Sequence, residues 1–345
     1  MAGAPLGQLG QGLAAHHAAG EPAGTLRPAC TAETRFTLTV PATSANLGPG
    51  YDTLGLALEL RDVIEVHAQP AQDPEKPRVD VVVDGEGAAT LPTDASHLVV
   101  TVVEQIMAAK GYSLPDLTVR AQNRIPHSRG LGSSAAAVAT AVVSADQLIP
   151  GGLSDEEKLQ IGSRIEGHPD NYAPALHGSA AVSWASSSGP DTLYRTAALR
   201  PHPELTTVVA VPDFTQSTQA ARDVLPVSVP HETAAKNASR TALLVHALTT
   251  EPALLLEATE DYLHQEYRRE AFPTSMALVD SLRQAGHAAV ISGAGPAVLV
   301  LTEQQNAASA AQHIADFAAP RAPGDTFSVQ NLPIAASGAT VEAPR

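Results

Sequence analysis

Short apolar runs of period two alternate with longer runs at helical spacing along most of this chain. Residues 35–40 (RFTLTV), 61–68 and 78–83 (RVDVVV) alternate apolar and polar positions, and each predicts a half-buried strand. Residues 96–110 carry helical spacing, and 116–122 (DLTVRAQ) return to the strand pattern. A glycine turn at 130–132 opens a predicted helix over 133–147. A second helix over 154–166 starts with Ser154 and Asp155 as its cap. In the second half, 179–184 and 205–211 predict strands, and helices follow at 216–224, 231–248 and 252–270, the last stopped by Pro273. Then 275–286 is helical, 288–301 reads as an apolar hairpin around a glycine turn, and 304–318 is helical. No internal repeat is visible. The pattern describes two halves that mix helix and sheet, divided in the polar, turn-rich stretch 186–203.

Both ends lack either period. Residues 1–34 are rich in Ala, Gly, Pro and His and read as a disordered extension, and 333–345 as a flexible tail. The 345 residues are 44% hydrophobic, enough for a sizeable core, and only 3% aromatic, so small side chains pack it. The net charge of -15 and the lack of any Lys/Arg cluster exclude a nucleic-acid partner, which needs a basic face. The single cysteine, Cys30, excludes a disulfide framework and reads as an incidental surface thiol. Trp184 is expected in the core. No apolar run approaches the roughly 18 residues that span a bilayer, and the start lacks the basic and apolar regions of a signal peptide. A cytoplasmic protein with no membrane partner is expected.

The sharpest chemical signal is PHSRGLGSSAA: Pro126, His127, Ser128, Arg129, Gly130, Leu131, Gly132, Ser133, Ser134, Ala135 and Ala136. Glycines before a helix let the backbone approach a bulky anion. The first N–H groups of the helix have no internal partner, and its dipole favours negative charge. Together they would cradle a triphosphate. The same letters also suit an ordinary glycine turn and serine cap, and no GKS or GKT follows as in a Walker loop. A dinucleotide fold fails, because no GxGxxG opens a strand–helix unit.

Two further glycine-rich stretches change that balance. PATSANLGPGYDTLGLAL (41–58) follows the first strand, and SGAGPAVLVL (292–301) turns between two apolar runs. In this order the three stretches resemble the three motifs of the GHMP kinases, over residues 35–332. The resemblance implies an α+β, two-domain GHMP kinase fold: a ribosomal S5 domain 2-like, ATP-binding domain over 35–190 and a ferredoxin-like domain over 191–332. It implies ATP as phosphoryl donor and Mg²⁺ as cofactor. The finer detail resembles the homoserine kinase branch: ATSANLGPGYDTLGLAL, EGHPDNYAPAL (166–176), QSTQAARDVLP (216–226) and DYLHQEYR (261–268).

That likeness implies L-homoserine as acceptor, with Asn46, Asp52, Asn171, Thr218, Arg222 and Arg268 around it. The chemistry agrees, since guanidinium groups suit the α-carboxylate and Asp52 would accept from the α-ammonium. Ser134 and Glu166 would hold Mg²⁺, an ion that takes few protein oxygens beside phosphates. Asn171 would orient the acceptor hydroxyl with Asp170 adjacent and no obligatory base. Ser292, Gly293, Ala294 and Gly295 form the third-motif loop. His168, without an acidic partner at metal spacing, reads as structural, and His127 and Arg129 would add positive potential. Homodimers are usual in the family. Two alternatives stand beside this reading: a mevalonate-type kinase, or a non-catalytic sensor of ATP and a metabolite.

Overall fold

The computed structural model describes residues 26–189, 192–215, 218–322 and 325–342, with the side chains of 218–220 outside that set. Two long antiparallel strands, β2 (Thr34–Ala45) and β3 (Leu54–Gln69), form the spine of the first half. Their register shifts between Pro41 and Ala42. Proline has no N–H to give to the ladder, so the pairing slips there. β1 (Arg27–Pro28) pairs in parallel with β5 (Tyr112–Ser113). β4 (Val79–Gly85) and β6 (Asp116–Asn123) pair in parallel, joined by a crossover that carries α1 (Leu98–Ala109).

β6 lies against the far half of β3, while β7 (Ala180–Ala185) pairs with its near half and with β8 (Tyr194–Leu199). The helices α2 (Ser133–Leu148) and α4 (Pro169–His177) pack on β2, with α1 and α3 (Asp155–Glu166) against α2. α3 opens at the expected Ser154, but its capping partner is Glu157 rather than Asp155: the two form a reciprocal capping box, and Gly167 ends the helix at φ +82°.

The second half contains β9 (Leu205–Pro212), α5 (Thr218–Asp223), α6 (His231–Thr249), α7 (Leu255–Ala258) and α8 (Pro273–Gln284). β10 (Ala288–Ile291), β11 (Val298–Glu303), α9 (Ala307–Ala318) and β12 (Phe327–Leu332) follow. The four strands form an antiparallel sheet in the order β10-β11-β9-β12, the ferredoxin-like arrangement. Residues 208–211, 288–291 and 298–301 are buried and apolar at consecutive positions because both faces of the sheet are covered there. Val208, Ala210, Val298 and Val300 join a core with α8 and α9. Val209, Val211, Leu299 and Leu301 join the core of the first half. One continuous apolar core therefore runs beneath both sheets and fixes the cleft between them.

Several expectations change. Residues 252–270 are not one helix: a 3-10 turn at Pro252–Leu254, the short α7 and a 3-10 turn at Glu266–Arg268 flank an irregular loop. The Asp261 carboxylate accepts from the backbone N–H groups of Leu263, His264 and Gln265, offering the chain an alternative to the helical ladder. The tail is not loose over 333–342. Ala335 bonds to Ala57 and Ser179 through its backbone, and β13 (Thr340–Glu342) pairs with β2. Composition hid this, because most of the contacts are main-chain bonds that demand no side-chain pattern, supplemented by Arg61 reaching Ser337 and Gly338 and by a Thr39–Thr340 hydroxyl bond. Of the expected N-terminal extension, 1–25 lie outside the described residues, whereas 26–34 include β1 and a buried Cys30 rather than a surface thiol. β8 carries the first sheet to Leu199, beyond the expected division at 190. Trp184 is 43% exposed on the β7–β8 hairpin and not in the core.

Candidate active site

All three glycine-rich stretches meet at the start of α2. Leu131 is buried and anchors the turn, and its carbonyl accepts from Thr43 N–H at 3.1 Å. Gly130 and Gly132 have φ of +78° and +68°, and Gly132 stands at the N-cap of α2. The third-motif loop closes on this turn. Ser292 Oγ donates to the Gly130 carbonyl at 2.6 Å, and Ala297 N–H donates to the Arg129 carbonyl at 3.1 Å. Gly293 N–H reaches the Ala45 carbonyl at 3.0 Å. Pro126, Ala135 and Ala136 are buried supports, and Ser133 and Ser134 begin the helix where its free N–H groups face outward. Ser128, at φ +55°, is exposed, and Ala294 and Gly295 complete the third loop.

Ser134 Oγ donates to Glu166 Oε1 at 2.7 Å, joining α2 to the last residue of α3. Burial raises the Glu166 carboxyl above its ordinary range, with the Ser134 hydroxyl pulling it partly back. A desolvated carboxylate at the negative end of a helix is poorly placed on its own. A cation beside it would relieve both penalties, so these two oxygens fit Mg²⁺. Among the described residues no group of three or more His, Cys, Asp or Glu could hold a metal, so phosphate oxygens would complete the shell.

At the start of α4, Asn171 Oδ1 accepts from Thr43 Oγ1 at 2.9 Å, which leaves the amide N–H groups of Asn171 for a ligand. Asp170 is 2% exposed, and its Oδ1 bonds His168 Nδ1 at 2.5 Å and accepts from Asn171 N–H at 2.9 Å. His168 thus has an acidic partner after all, two residues on. Burial lowers its pKa, but Asp170 and Glu166 outweigh that and hold it above the ordinary imidazole value. Gly55 permits this approach, since a Cβ there would sit 1.7 Å from the Asp170 carbonyl oxygen.

The remaining predicted residues form a second cluster. Asn46, buried at φ +68°, donates from Nδ2 to the Gly293 carbonyl and accepts from Asp52 N–H, both at 2.9 Å. It ties the first motif to the third before it contacts any substrate. Arg222 makes a two-pronged bond to Asp52, and Tyr51 OH accepts from Arg222 Nη1 at 3.3 Å. Arg268 is 1% exposed and donates from Nε to the Ala221 carbonyl at 2.7 Å. Its Nη1 reaches His264 Nδ1 at 3.1 Å and the Gly293 carbonyl at 3.5 Å. Burial presses its pKa below the ordinary guanidinium value. Among the described residues it forms no ion pair. Thr218 opens α5, and its side chain lies outside the described residues.

Arg129 is not a free positive charge on the loop, since its Nη1 lies 3.8 Å from the Glu86 carboxylate. Arg129 Nε donates to the Pro212 carbonyl at 2.9 Å, which braces the loop against β9. Gly87 packs beside the His127 ring. Four site residues escaped the sequence reading: Thr43, Ser44, Tyr51 and His264. The Ser44 hydroxyl is hydrogen-bonded to that of Ser292 at 2.8 Å, and the Tyr51 ring stands 5.2 Å from that of His264. All four lie inside the quoted motifs, so membership of a motif was their only signal. Asn46, Leu47, Asp52 and Ser128 all hold positive φ without being glycine, a concentration of backbone strain that marks functional sites.

An anion cradle, an oxygen pair for a cation and a cluster of charged side chains, joined through the three glycine-rich stretches, define a small-molecule kinase of the GHMP class. The family described as GHMP kinases N terminal domain matches residues 97–179, and GHMP kinases C terminal matches 244–319. A homoserine kinase of Clavibacter michiganensis subsp. michiganensis is 47% identical over 278 residues, 80% of this chain and 85% of that protein. One from Mycolicibacterium vanbaalenii is 46% identical over 297 residues, 85% of this chain and 91% of that protein. The crystal structure of homoserine kinase from Cytophaga hutchinsonii superposes with a TM-score of 0.77 at 22% identity, covering 90% of this chain and 98% of that one, which establishes the shared fold. The chain belongs to the homoserine kinases.

Proposed function

We propose that the chain transfers the γ-phosphoryl group of ATP to the side-chain hydroxyl of L-homoserine, giving O-phospho-L-homoserine for threonine synthesis. The observation that carries this reading is the hydrogen-bonded junction of the phosphate loop and third-motif loop with a cluster of two arginines and one aspartate. Arg222 and Arg268 bind the α-carboxylate, and Asp52 accepts from the α-ammonium. The backbone N–H groups at the start of α2 bind the triphosphate. Ser134 and Glu166 would hold Mg²⁺, which would supply charge neutralisation on the phosphates.

Phosphoryl transfer passes through a loose transition state, so positioning and electrostatics dominate. Asn171, with its carbonyl end held by Thr43, donates to the acceptor oxygen and keeps it in line with the γ-phosphorus. Asp170 fixes Asn171 and His168, and its Oδ1 is already engaged by both. Asp170→Asn is therefore expected to lower kcat by about tenfold with KM little changed, as for an orienting group. A loss approaching about 10⁴-fold would make Asp170 the general base.

We place the enzyme in the cytoplasm as a homodimer, acting without nucleic acid or membrane. Among the described residues no helix is long and apolar enough to cross a bilayer. The acceptor is tested by ADP release with Mg-ATP against L-homoserine, D-homoserine, L-serine, L-threonine and mevalonate. Turnover on L-homoserine far above the rest is expected. Preference for mevalonate would overturn the acceptor, and ATP binding without turnover on any would favour a sensor.

A further inference from the structure

Arg222 and Asp52, assigned to opposite ends of homoserine, are bound to each other. Arg222 Nη2 donates to Asp52 Oδ1 at 2.9 Å and Nη1 to Oδ2 at 3.3 Å. This fork is the geometry that a substrate carboxylate would make with the same guanidinium. In turn, Arg222 occupies the carboxylate that an ammonium would use. The pair therefore mimics both halves of a bound amino acid.

Two features suit it to exchange. The side chains are 33% and 36% exposed, so ligand reaches them and solvent keeps their attraction modest. Asp52 cannot drift away, because its N–H is held by Asn46 Oδ1 at 2.9 Å and its backbone sits at φ +52°. The Tyr51 ring lies between the arginines, 5.9 Å from Arg222 Cζ and 5.7 Å from Arg268 Cζ. Arg268, without an ion-pair partner among the described residues, adds attraction for one more anion beside the fork.

We infer that the Asp52–Arg222 ion pair is the selectivity element of the acceptor site, opening only to a ligand that brings a carboxylate and a cation together. The inference rests on the homoserine reading and gives the pair a use within it. A zwitterion re-pairs both protein groups, so the exchange leaves no charge alone. A ligand with only a carboxylate that takes Arg222 strands Asp52, and one with only an ammonium strands Arg222, whereas Arg268 beside the fork attracts any anion and does not discriminate between them. Rejection thus comes from the unpaired group left behind, not from a clash.

The test uses the two halves of homoserine, 4-hydroxybutyrate and 3-amino-1-propanol. Their affinities are measured by titration calorimetry beside that of L-homoserine, for the wild type, Asp52→Asn and Arg222→Gln. Asparagine tolerates positive φ, so Asp52→Asn keeps the backbone. The wild type should bind each half at least about 100-fold more weakly than homoserine. Asp52→Asn frees Arg222 and should tighten 4-hydroxybutyrate about tenfold while weakening homoserine. Arg222→Gln should do the same for 3-amino-1-propanol. A parallel weakening of all three ligands in both variants would overturn the inference, making the residues simple contacts. Calorimetry without ATP separates this from the function. Should the wild type fail to phosphorylate homoserine, the acceptor assignment falls, whereas the inversion between the two halves still decides the role of the pair.

Discussion

Alanine in place of Gly130 is expected to lower kcat/KM for ATP by about 10²-fold or more, with a smaller effect on homoserine affinity. A Cβ there would stand 2.2 Å from the Ser292 carbonyl oxygen and 3.0 Å from that of Gly295. Both obstacles are backbone, so no flexible side chain can yield. The residue also holds φ +78°, which costs an L-residue about 1–2 kcal/mol. Since the Gly130 carbonyl itself accepts from Ser292 Oγ, relief of the clash must part the turn that leads into α2 from the third-motif loop. That shift displaces the N–H groups that hold the phosphates, and about 1 Å of misplacement is worth about 10²-fold in rate. Gly286→Ala is the control: φ is +87° there, but nothing lies within 4 Å of the added carbon. It should lose melting temperature without losing ATP kinetics. Equal kinetic damage from the two substitutions would show that the seam does not position the loop.

What could be read from the chain follows from where each signal resides. The phosphate loop was legible because glycines and serines at a helix start are a local arrangement, complete within a dozen residues. So was Ser154 as the cap of α3, although its partner is Glu157 and not the expected Asp155. The pairing of Arg222 with Asp52 was not legible, because 170 residues separate them and each alone looks like a surface charge. The error at 252–270 has a similar origin. Apolar spacing there suits a helix, but Asp261 spends its carboxylate on three backbone donors, and the resulting loop delivers His264 and Arg268 to the cleft. β13 and the strand pairing beyond Leu332 involve small and polar residues whose bonds are mostly main-chain, and period-two reading does not register them. Asn46 was read as a substrate ligand from its place in the motif, yet its amide first joins two loops. A motif names residues that share a site without saying which of them touch the ligand.

Replacing Arg268 with methionine should reduce kcat/KM for homoserine by about 10³-fold and leave thermal stability nearly unchanged, because two opposing terms meet at this residue. Its buried guanidinium has no carboxylate within ion-pair distance among the described residues, Asp261 and Asp52 attracting it only from farther off, and a buried charge without a close partner costs several kcal/mol. Its bonds to the Ala221 carbonyl and His264 Nδ1 recover part of that. Methionine fills similar space and removes the charge, but strands those two acceptors at about 1–3 kcal/mol each. The function term is not balanced in this way. A substrate carboxylate supplies the missing counter-ion, so the free energy withheld in the empty site is returned on binding.

His264 sets the direction of this arrangement. Its Nε2–H donates to the Gly48 carbonyl at 2.8 Å, leaving Nδ1 as an acceptor for Arg268. Burial above all, with Arg268 nearby, holds its pKa below the ordinary value despite Asp261, so the imidazole is neutral as the bond requires. The guanidinium is thereby aimed by two fixed acceptors, and lysine, lacking the planar fork, cannot be aimed in the same way. Arg268→Lys should accordingly recover little of the lost kcat/KM. Calorimetric melting and steady-state kinetics on both variants decide the matter. If Arg268→Met melts several degrees lower and loses ATP and homoserine kinetics in equal measure, Arg268 is a strut of the cleft rather than the anion site. A rise in homoserine KM at constant melting temperature and constant KM for ATP assigns its charge to the substrate.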